Sequence, residues 1–212
     1  SFHPVKHITT GEGGMIVTPS ETFAENMRRH RSHGIVRDAS GFCNNSEAFA
    51  ADGSANPWYY EMQSLGFNYR MTDIQAALGT SQLTGLAENI LRRRSIVNAY
   101  KSRLAGLPYV SFPEVAEGVG HAFHLAVIKI EFAAAGRERA VLMNALKAEG
   151  IGTQVHYIPV PMMPYYAGAA AEEDYAEGLA YYRQALSLPC FPQMDDEDIE
   201  RVCAALKKVF GL

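Results

Sequence analysis

The chain contains 212 residues, of which 48% are hydrophobic and 20% are charged, and its net charge is −4. This acidic balance excludes a broad basic surface for nucleic acid, and no apolar run reaches the roughly 18 residues that a membrane crossing needs. The length and the apolar content are sufficient for one or two globular domains with real cores.

The cysteines and the first residues bear on the cellular compartment. Cys43, Cys190 and Cys203 are an odd number of cysteines without paired spacing, which predicts free thiols in a reducing compartment. The N-terminus lacks the charged and apolar regions of a signal peptide, so we expect a cytoplasmic location. No histidine has a metal-ligand spacing with a cysteine or a carboxylate, and we predict no metal site.

The first half of the chain is predicted to be mostly helical, with one long irregular segment. The predicted elements are a strand at Ile16-Val17, a helix from Ser20 or Glu21 to His30, an irregular segment over 35–60, a helix opened by the capping-box pair Thr72 and Gln75, and a helix from about Leu86 to Leu104. The last of these helices carries an arginine triplet at 92–94, which we interpret as a solvated face, with contact to a partner subunit or a phosphate as the alternative.

The second half alternates between strands and helices. The predicted elements are a strand from His124 to Ile130, a helix from Arg137 to Glu149, a strand from Thr153 to Ile158, a helix from Glu172 to Gln184, a short strand at Leu186-Ser187-Leu188, and a helix that Asp195 caps. This order is typical of a small α/β domain of about a hundred residues.

Lys6 is the first candidate for chemistry. It lies between a short aromatic start and the Thr/Gly-rich turn over 9–14. A lysine amine that is partly buried becomes a nucleophile toward carbonyl groups. From the residues alone, an ordinary surface lysine in a turn remains the alternative.

Three further groups of residues can be interpreted either as binding sites or as ordinary structural features. Asn68 and Arg70 precede a helix N-terminus and form a plausible anion site, or else a loop with a satisfied amide. The cationic patch around His33 is either a ligand site or a solvated helix end. His156 and Tyr157 lie on an apolar strand, where a histidine is more often packed than functional.

Five segments together carry a family resemblance. In chain order they are SFHPVKHITTGEGGMIVT, RSHGIVRD, WYYEMQSLGFNYRMTDIQAALGTSQL, GIGTQVHYIPV and SLPCFPQMDDEDIERV. Each is weak alone, but five in this order resemble the DegT/DnrJ/EryC1/StrS family of sugar aminotransferases that use pyridoxal 5′-phosphate (PLP). The resemblance extends from the first residue to the last helix.

The resemblance implies a role for each candidate residue. It makes Lys6 the amine that holds PLP and moves the substrate proton. It implies that Ser1 and Asn68 bind the PLP phosphate, Asn68 from the neighbouring subunit of a homodimer with a shared active site. The residues that it places toward the substrate are His33, Arg70, His156 and Tyr157.

The resemblance also implies the architecture. The fold class is α/β, as the C-terminal part of a fold-type I PLP transferase. Residues 1–107 would be the C-terminal part of the large PLP-binding domain with its connecting helices, and 108–212 the small C-terminal domain. Since relatives have a long portion before the lysine, including the aspartate that pairs with the pyridine nitrogen, we expect weak PLP binding and little turnover from this chain alone.

The expected reaction is transamination of a nucleotide-linked keto-deoxysugar with glutamate as the amino donor. The subgroup that the sequence resembles aminates a UDP-linked 4-keto-6-deoxy-HexNAc on the way to pseudaminic acid, in cell-surface polysaccharide biosynthesis. The alternative from another class is a non-catalytic sensory, regulatory or interaction protein of the same fold. A family dehydratase is disfavoured because those relatives replace the lysine.

Overall fold

A computed structural model describes residues 1–169 and 171–212. The described helices are α1 (Glu21–Arg31), α2 (Asn45–Ala48), α3 (Asp73–Thr84), α4 (Leu86–Arg103), α5 (Arg139–Ala148), α6 (Ala176–Gln184) and α7 (Asp196–Phe210). The described strands are β1 (Ile35–Val36), β2 (Glu61–Met62), β3 (Val110–Ser111), β4 (Ala126–Ile130) and β5 (Ala185–Leu188). Among these residues, none of the helices combines the length and the apolarity that a membrane crossing requires.

The chain divides into two compact units, Ser1–Thr84 and Gly85–Leu212. The division falls before α4, whereas the predicted domain boundary falls after it, between 107 and 108. The difference arises because Ile96, Val97 and Tyr100 of α4 are buried in the core of the second unit. Burial of this apolar face ties the helix to that core, whatever its position in the sequence.

The first unit contains α1, the β1–β2 pair and α3. Ser20 caps α1 by accepting a hydrogen bond from the Phe23 N–H group. The predicted capping box at the start of α3 is confirmed, because Thr72 N–H donates to Gln75 Oε1 at 3.0 Å and Gln75 N–H donates to Thr72 Oγ1 at 3.3 Å. Between these helices, β1 at the start of the segment that was predicted to be irregular pairs antiparallel with β2, which follows directly after that segment.

The predicted strand at Ile16-Val17 is wrong for the described residues. Both side chains are exposed, at 74% and 82%, and the segment has no strand pairing. A strand requires a neighbour that exchanges backbone hydrogen bonds with it, and no described residue forms such a pair with this segment.

The second unit is a three-stranded antiparallel sheet with helices packed on it. The strand order is β3-β4-β5, with Ile128 of β4 opposite Leu186 of β5. The core draws on the sheet and on α4, α5 and α7, and its largest fully buried side chains are Tyr100, Ile96, Ile128, Ile130, Leu142, Leu146, Leu186, Ile199 and Leu206. As predicted, Asp195 caps α7, and it accepts from Asp198 N–H at 2.9 Å.

The predicted strand over 153–158 is reduced to a single bridge. Gln154 and Ser187 exchange both backbone hydrogen bonds, at 3.2 and 2.8 Å, and the pairing stops there. The prolines at 159 and 161 lie beyond the predicted strand, and since they lack an N–H group they keep the ladder from resuming after it.

The interpretation of 92–94 as a solvated face is wrong. Arg93 is buried, with 7% of its surface exposed, and its Nη1 donates to the carbonyl oxygens of Phe123, His124 and Cys190 at 3.3, 3.2 and 2.8 Å. Arg92 donates to Met194 O, and Arg94 Nε donates to His121 O at 2.8 Å. All three guanidinium groups therefore donate to carbonyl groups of neighbouring loops, although Arg93 alone is buried and its two neighbours stay partly exposed.

Candidate active site

Lys6 lies in a closed loop at the start of the chain. Phe2 N–H donates to Gly13 O at 2.9 Å and Thr10 N–H donates to Phe2 O at 3.0 Å, so both sides of the loop are tied to one residue. Inside it, Lys6 N–H donates to His3 O at 2.9 Å and closes a turn. The loop therefore holds the half-buried lysine in a defined backbone position.

Helix α3 supports the lysine loop from one side. Gln75 Nε2 donates to Glu12 O at 3.0 Å, and the Thr10 hydroxyl donates to the same oxygen at 2.7 Å. Thr10 is buried, at 3% exposure, and its methyl group lies against Gly79. A β-carbon at residue 79 would come within 2.8 Å of Thr10 Cγ2, so the close approach of helix and loop depends on glycine.

The polar groups around Lys6 leave its amine available. In the described parts of the chain, no carboxylate lies within ion-pair distance of Lys6 Nζ. The loop's nearby acid, Glu12, instead faces His3 at 3.8 Å. Ser1 is exposed at the edge of the loop, and its Oγ accepts from His3 N–H at 3.4 Å. An amine without a carboxylate partner can react with an aldehyde.

The structure brings two of the predicted site segments together. Ser32 and Asn68 form an antiparallel bridge, and His33 N–H donates to Phe67 O at 2.8 Å. These contacts place His33, in the segment after α1, alongside Asn68 and Arg70, which precede α3. His33 has a φ of 63°, in the left-handed region, so the local backbone is set by tertiary contacts and not by residue preference.

Gly34 makes this close approach sterically feasible. Its φ is +70°, and a β-carbon there would lie 1.7 Å from Ser64 O, far inside contact distance. Gly66 on the opposing segment is packed equally tightly, since a β-carbon there would lie 2.1 Å from Gly34 N. The pairing of the two segments thus needs glycine on both sides.

Glu61 organises the segment between α1 and α3, a role that sequence reasoning missed. Its carboxylate accepts hydrogen bonds from Gln63 Nε2 at 2.6 Å, from the Tyr59 hydroxyl at 2.8 Å, and from the N–H groups of Cys43 and Asn44. These donors, Gln63 above all, lower the pKa of Glu61 from 4.5 to about 2. The alternation of Tyr59, Glu61 and Gln63 was a usable signal, because alternate residues of a strand share a face.

The second unit holds the remaining two candidates. His156 Nδ1 lies 2.8 Å from Ser187 Oγ, and its ring meets the Tyr157 ring edge to face at 4.6 Å. The peptide bond between His156 and Tyr157 is cis. Ser187 is buried on β5, whereas Tyr157 is 66% exposed. Ser187 was also missed, although it is the single polar residue of the predicted strand Leu186-Ser187-Leu188.

With this geometry established, comparison with known proteins decides the family. The sequence matches the DegT/DnrJ/EryC1/StrS aminotransferase family over residues 1–207. The chain belongs to this family. Membership confirms the resemblance inferred from the five sequence segments.

Individual relatives agree with this assignment. The chain is 37% identical to the spore coat polysaccharide biosynthesis protein SpsC of Bacillus subtilis, over 99% of this chain and 52% of SpsC. Helicobacter pylori PseC, an aminotransferase involved in the biosynthesis of pseudoaminic acid, is 27% identical with a TM-score of 0.84, over 100% of this chain and 52% of PseC. Streptococcus pneumoniae Spr1654 in its PMP form is 27% identical with a TM-score of 0.81, over 100% of this chain and 52% of Spr1654.

These matches also confirm the α/β, fold-type I architecture that the sequence predicted. The chain spans about half the length of the curated relatives it matches.

The residues of the first unit fit PLP by their chemistry. The family is PLP-dependent. Lys6 supplies an amine without a carboxylate partner among the described residues, on a loop braced by α3. Ser1 and Asn68 supply exposed hydroxyl and amide donors of the type that phosphate oxygens accept.

Proposed function

We propose that the whole protein is a PLP-dependent aminotransferase that transfers an amino group from glutamate to the keto carbon of a nucleotide-linked deoxysugar. The observation that carries the proposal is the Lys6 loop. Lys6 stands on a closed and helix-supported loop, and no described carboxylate forms an ion pair with its amine.

In this proposal Lys6 has two tasks. Its Nζ holds the cofactor covalently, and it accepts the proton from the Cα of the amino donor once the donor has displaced it. When bound, PLP supplies the electron sink for loss of that proton. Since α3 and the loop hydrogen bonds fix the backbone around Lys6, the amine returns to the same place in each half of the reaction.

The other site residues bind the cofactor phosphate and the substrate and orient them toward Lys6. Ser1 and Asn68 hold the cofactor phosphate, Asn68 as a contribution to the partner protomer of a homodimer. His33 and Arg70 contact the nucleotide sugar near its phosphates, where cationic or donor groups are favoured. His156 and Tyr157 contact the sugar. The buried Ser187 hydroxyl orients the His156 imidazole for that contact.

The substrate that we propose is a UDP-linked 4-keto-6-deoxy-HexNAc, and the compartment is the cytoplasm. The similarity to PseC supports this choice of sugar. Two departures bear on specificity. The resemblance implies polar residues where Pro161, Met162 and Met163 follow the HYIPV segment, and an aromatic residue where this chain has Ala126. Of these positions, Ala126 is buried in the core on β4, so we expect the loop over 161–163 to have the larger effect on the choice of sugar.

PLP titration followed by visible absorbance tests the role of Lys6. We expect a visible band from bound PLP, and borohydride reduction followed by peptide mass spectrometry should place the adduct on Lys6. Lys6→Ala should abolish both signals, whereas Lys147→Ala, at an exposed lysine of α5, should retain them. Because the chain spans about half of its relatives, we expect the band to be weak in these 212 residues.

The same measurement, made on the full-length protein, separates the enzyme from a non-catalytic protein of the same fold, because we expect little turnover from these 212 residues alone. Glutamate should convert the visible band to that of the aminated cofactor if the protein is an aminotransferase. A band that is equally strong in Lys6→Ala would contradict the proposal. A Lys6 adduct that glutamate leaves unchanged would favour the regulatory alternative.

A further inference from the structure

We propose that a cavity in the second unit binds a small monocarboxylate with an apolar or aromatic body. The cavity has a volume of about 300 Å³. It is lined by α4, β4, the segment over 112–125 and one residue of α6, and it contains none of the residues assigned to PLP or the sugar. The proposal does not depend on the proposed aminotransferase activity.

The walls of the cavity are mainly apolar. The apolar and aromatic side chains that line it are Val97, Phe112, Pro113, Val115, Phe123, Leu125, Val127 and Tyr181. A concave apolar site with a few polar groups is the usual form of a small-molecule site, and this volume is at the lower end of the range for such sites.

One wall is held in a strained conformation by a buried cation. Phe123 has a φ of 46°, in the left-handed region that non-glycine residues rarely adopt. Its N–H donates to His121 Nδ1 at 2.9 Å, and its carbonyl oxygen accepts from Arg93 Nη1 at 3.3 Å. Because Arg93 is buried, this wall is preorganised before any ligand arrives.

The polar lining favours a single negative charge. Lys101 Nζ lies 6.0 Å from the centroid of the Phe123 ring, and in the part of the chain that the structure describes it forms no ion pair with a carboxylate. Since His121 Nδ1 accepts from Phe123 N–H, the neutral imidazole carries its proton on Nε2 and is a second donor. Glu114, which is exposed in the lining, disfavours a dianion.

These features together define the ligand class. An aromatic or aliphatic body would replace water over the Phe112 and Phe123 rings. A carboxylate would pair with the half-buried Lys101, whose ammonium group lies over the Phe123 ring. A neutral analogue of the same shape would keep the apolar contact with the Phe112 and Phe123 rings but would lose the ion pair with Lys101.

NMR titration of the ¹⁵N-labelled chain with phenylacetate tests the inference, with phenylacetamide as the neutral analogue. We expect saturable shifts of the Phe123, Leu125 and Val127 amide signals, and about tenfold tighter binding of phenylacetate than of phenylacetamide. Lys101→Met should abolish the preference and Lys101→Arg should keep it. Lys147→Met, at an exposed lysine outside the cavity, should also keep it.

The inference is overturned by the absence of saturable shifts, by equal affinities for the two compounds, or by an unchanged preference in Lys101→Met. The comparison of the two compounds on the unmodified chain is decisive even if the Lys101→Met variant does not fold. Neither PLP nor Lys6 enters the experiment, so its failure is distinct from a failure of the aminotransferase proposal.

Discussion

Gly79 of α3 lies directly against Thr10 of the loop that carries Lys6. A β-carbon at residue 79 would come within 2.8 Å of Thr10 Cγ2. Thr10 is buried and hydrogen-bonded to Glu12 O, so it has little freedom to move away on its own. The position of the lysine loop is therefore coupled to the packing of the helix behind it.

This contact predicts the effect of Gly79→Ala. The added methyl group should displace Thr10 and the loop, with an overpacking cost of roughly 1–3 kcal/mol that exceeds the gain of about 1 kcal/mol in helix propensity. We expect a lower free energy of unfolding and a weaker PLP band at Lys6. Denaturant titration and visible absorbance measure the two effects.

Gly178→Ala is the matched control for this prediction. Gly178 also lies in a helix, α6, but a β-carbon there would have no neighbour within 4 Å. Helix propensity alone should then raise the free energy of unfolding by about 0.5–1 kcal/mol. If both variants change stability in the same direction, the proposed close packing of Gly79 on Thr10 is wrong.

The Glu61 carboxylate should make the stability of the first unit depend on pH. Its folded-state pKa, about 2, lies below the ordinary value of 4.5, so the folded state favours the ionised form. This contribution is fully present above about pH 4.5 and is lost as pH falls through the folded-state pKa near 2. Glu61→Gln removes it, so the stability difference from the unmodified chain should be largest near neutral pH and should shrink toward pH 2.

Urea unfolding at a series of pH values measures this difference. Glu25→Gln, at an exposed glutamate of α1, is the control and should give a small difference. A stability difference for Glu61→Gln that is the same at pH 3 and pH 7 would contradict the prediction. Amide hydrogen exchange should also increase in the segment over 43–63, because the carboxylate ties both ends of that segment together.

The buried arginine of α4 should be important for stability. Arg93→Met keeps the aliphatic part of the side chain but leaves the carbonyl groups of Phe123, His124 and Cys190 without their donor. We expect a loss of about 3 kcal/mol in the free energy of unfolding, because buried carbonyl groups would be left unsatisfied. Arg103→Met, on the same helix, should cost about 1 kcal/mol or less, since Arg103 pairs with the exposed acids Asp196 and Glu200. Equal losses in thermal or urea unfolding would show that burial of Arg93 is not the determining factor.

The hydroxyl group of Ser187 should determine which tautomer the His156 imidazole adopts. Ser187→Thr and Ser187→Val add nearly the same volume to β5, and they differ in whether a hydroxyl remains within reach of Nδ1. We expect the Thr variant to keep the tautomer of His156 found in the unmodified chain, and the Val variant to change the tautomer ratio. The ¹⁵N shifts of the imidazole report this ratio directly. The same ratio in both variants would exclude the hydroxyl as the positioning group.

Much of the architecture follows from short-range patterns that are readable in the sequence. The caps at Thr72 and Asp195 form within a few residues, and their hydrogen bonds are found as predicted. The five family segments, with Lys6 in the first, identified the family without any structure. Helix caps and family segments depend on residues that are close together in the sequence, so they can be identified without knowledge of the tertiary structure.

The tertiary structure decided everything that depends on a distant partner. Ile16-Val17 has strand-forming residues but no strand, because the described residues supply no backbone groups to pair with it. Arg93 resembles its two neighbours in sequence, yet three carbonyl groups from loops about 30 and 97 positions away make it a buried donor. Glu61, Ser187 and Gly79 likewise acquired their roles from contacts across the chain. Lys6 was a candidate from the sequence alone, whereas the contacts between its loop and α3 are seen only in the folded structure, because their hydrogen bonds join residues as far apart as 12 and 75.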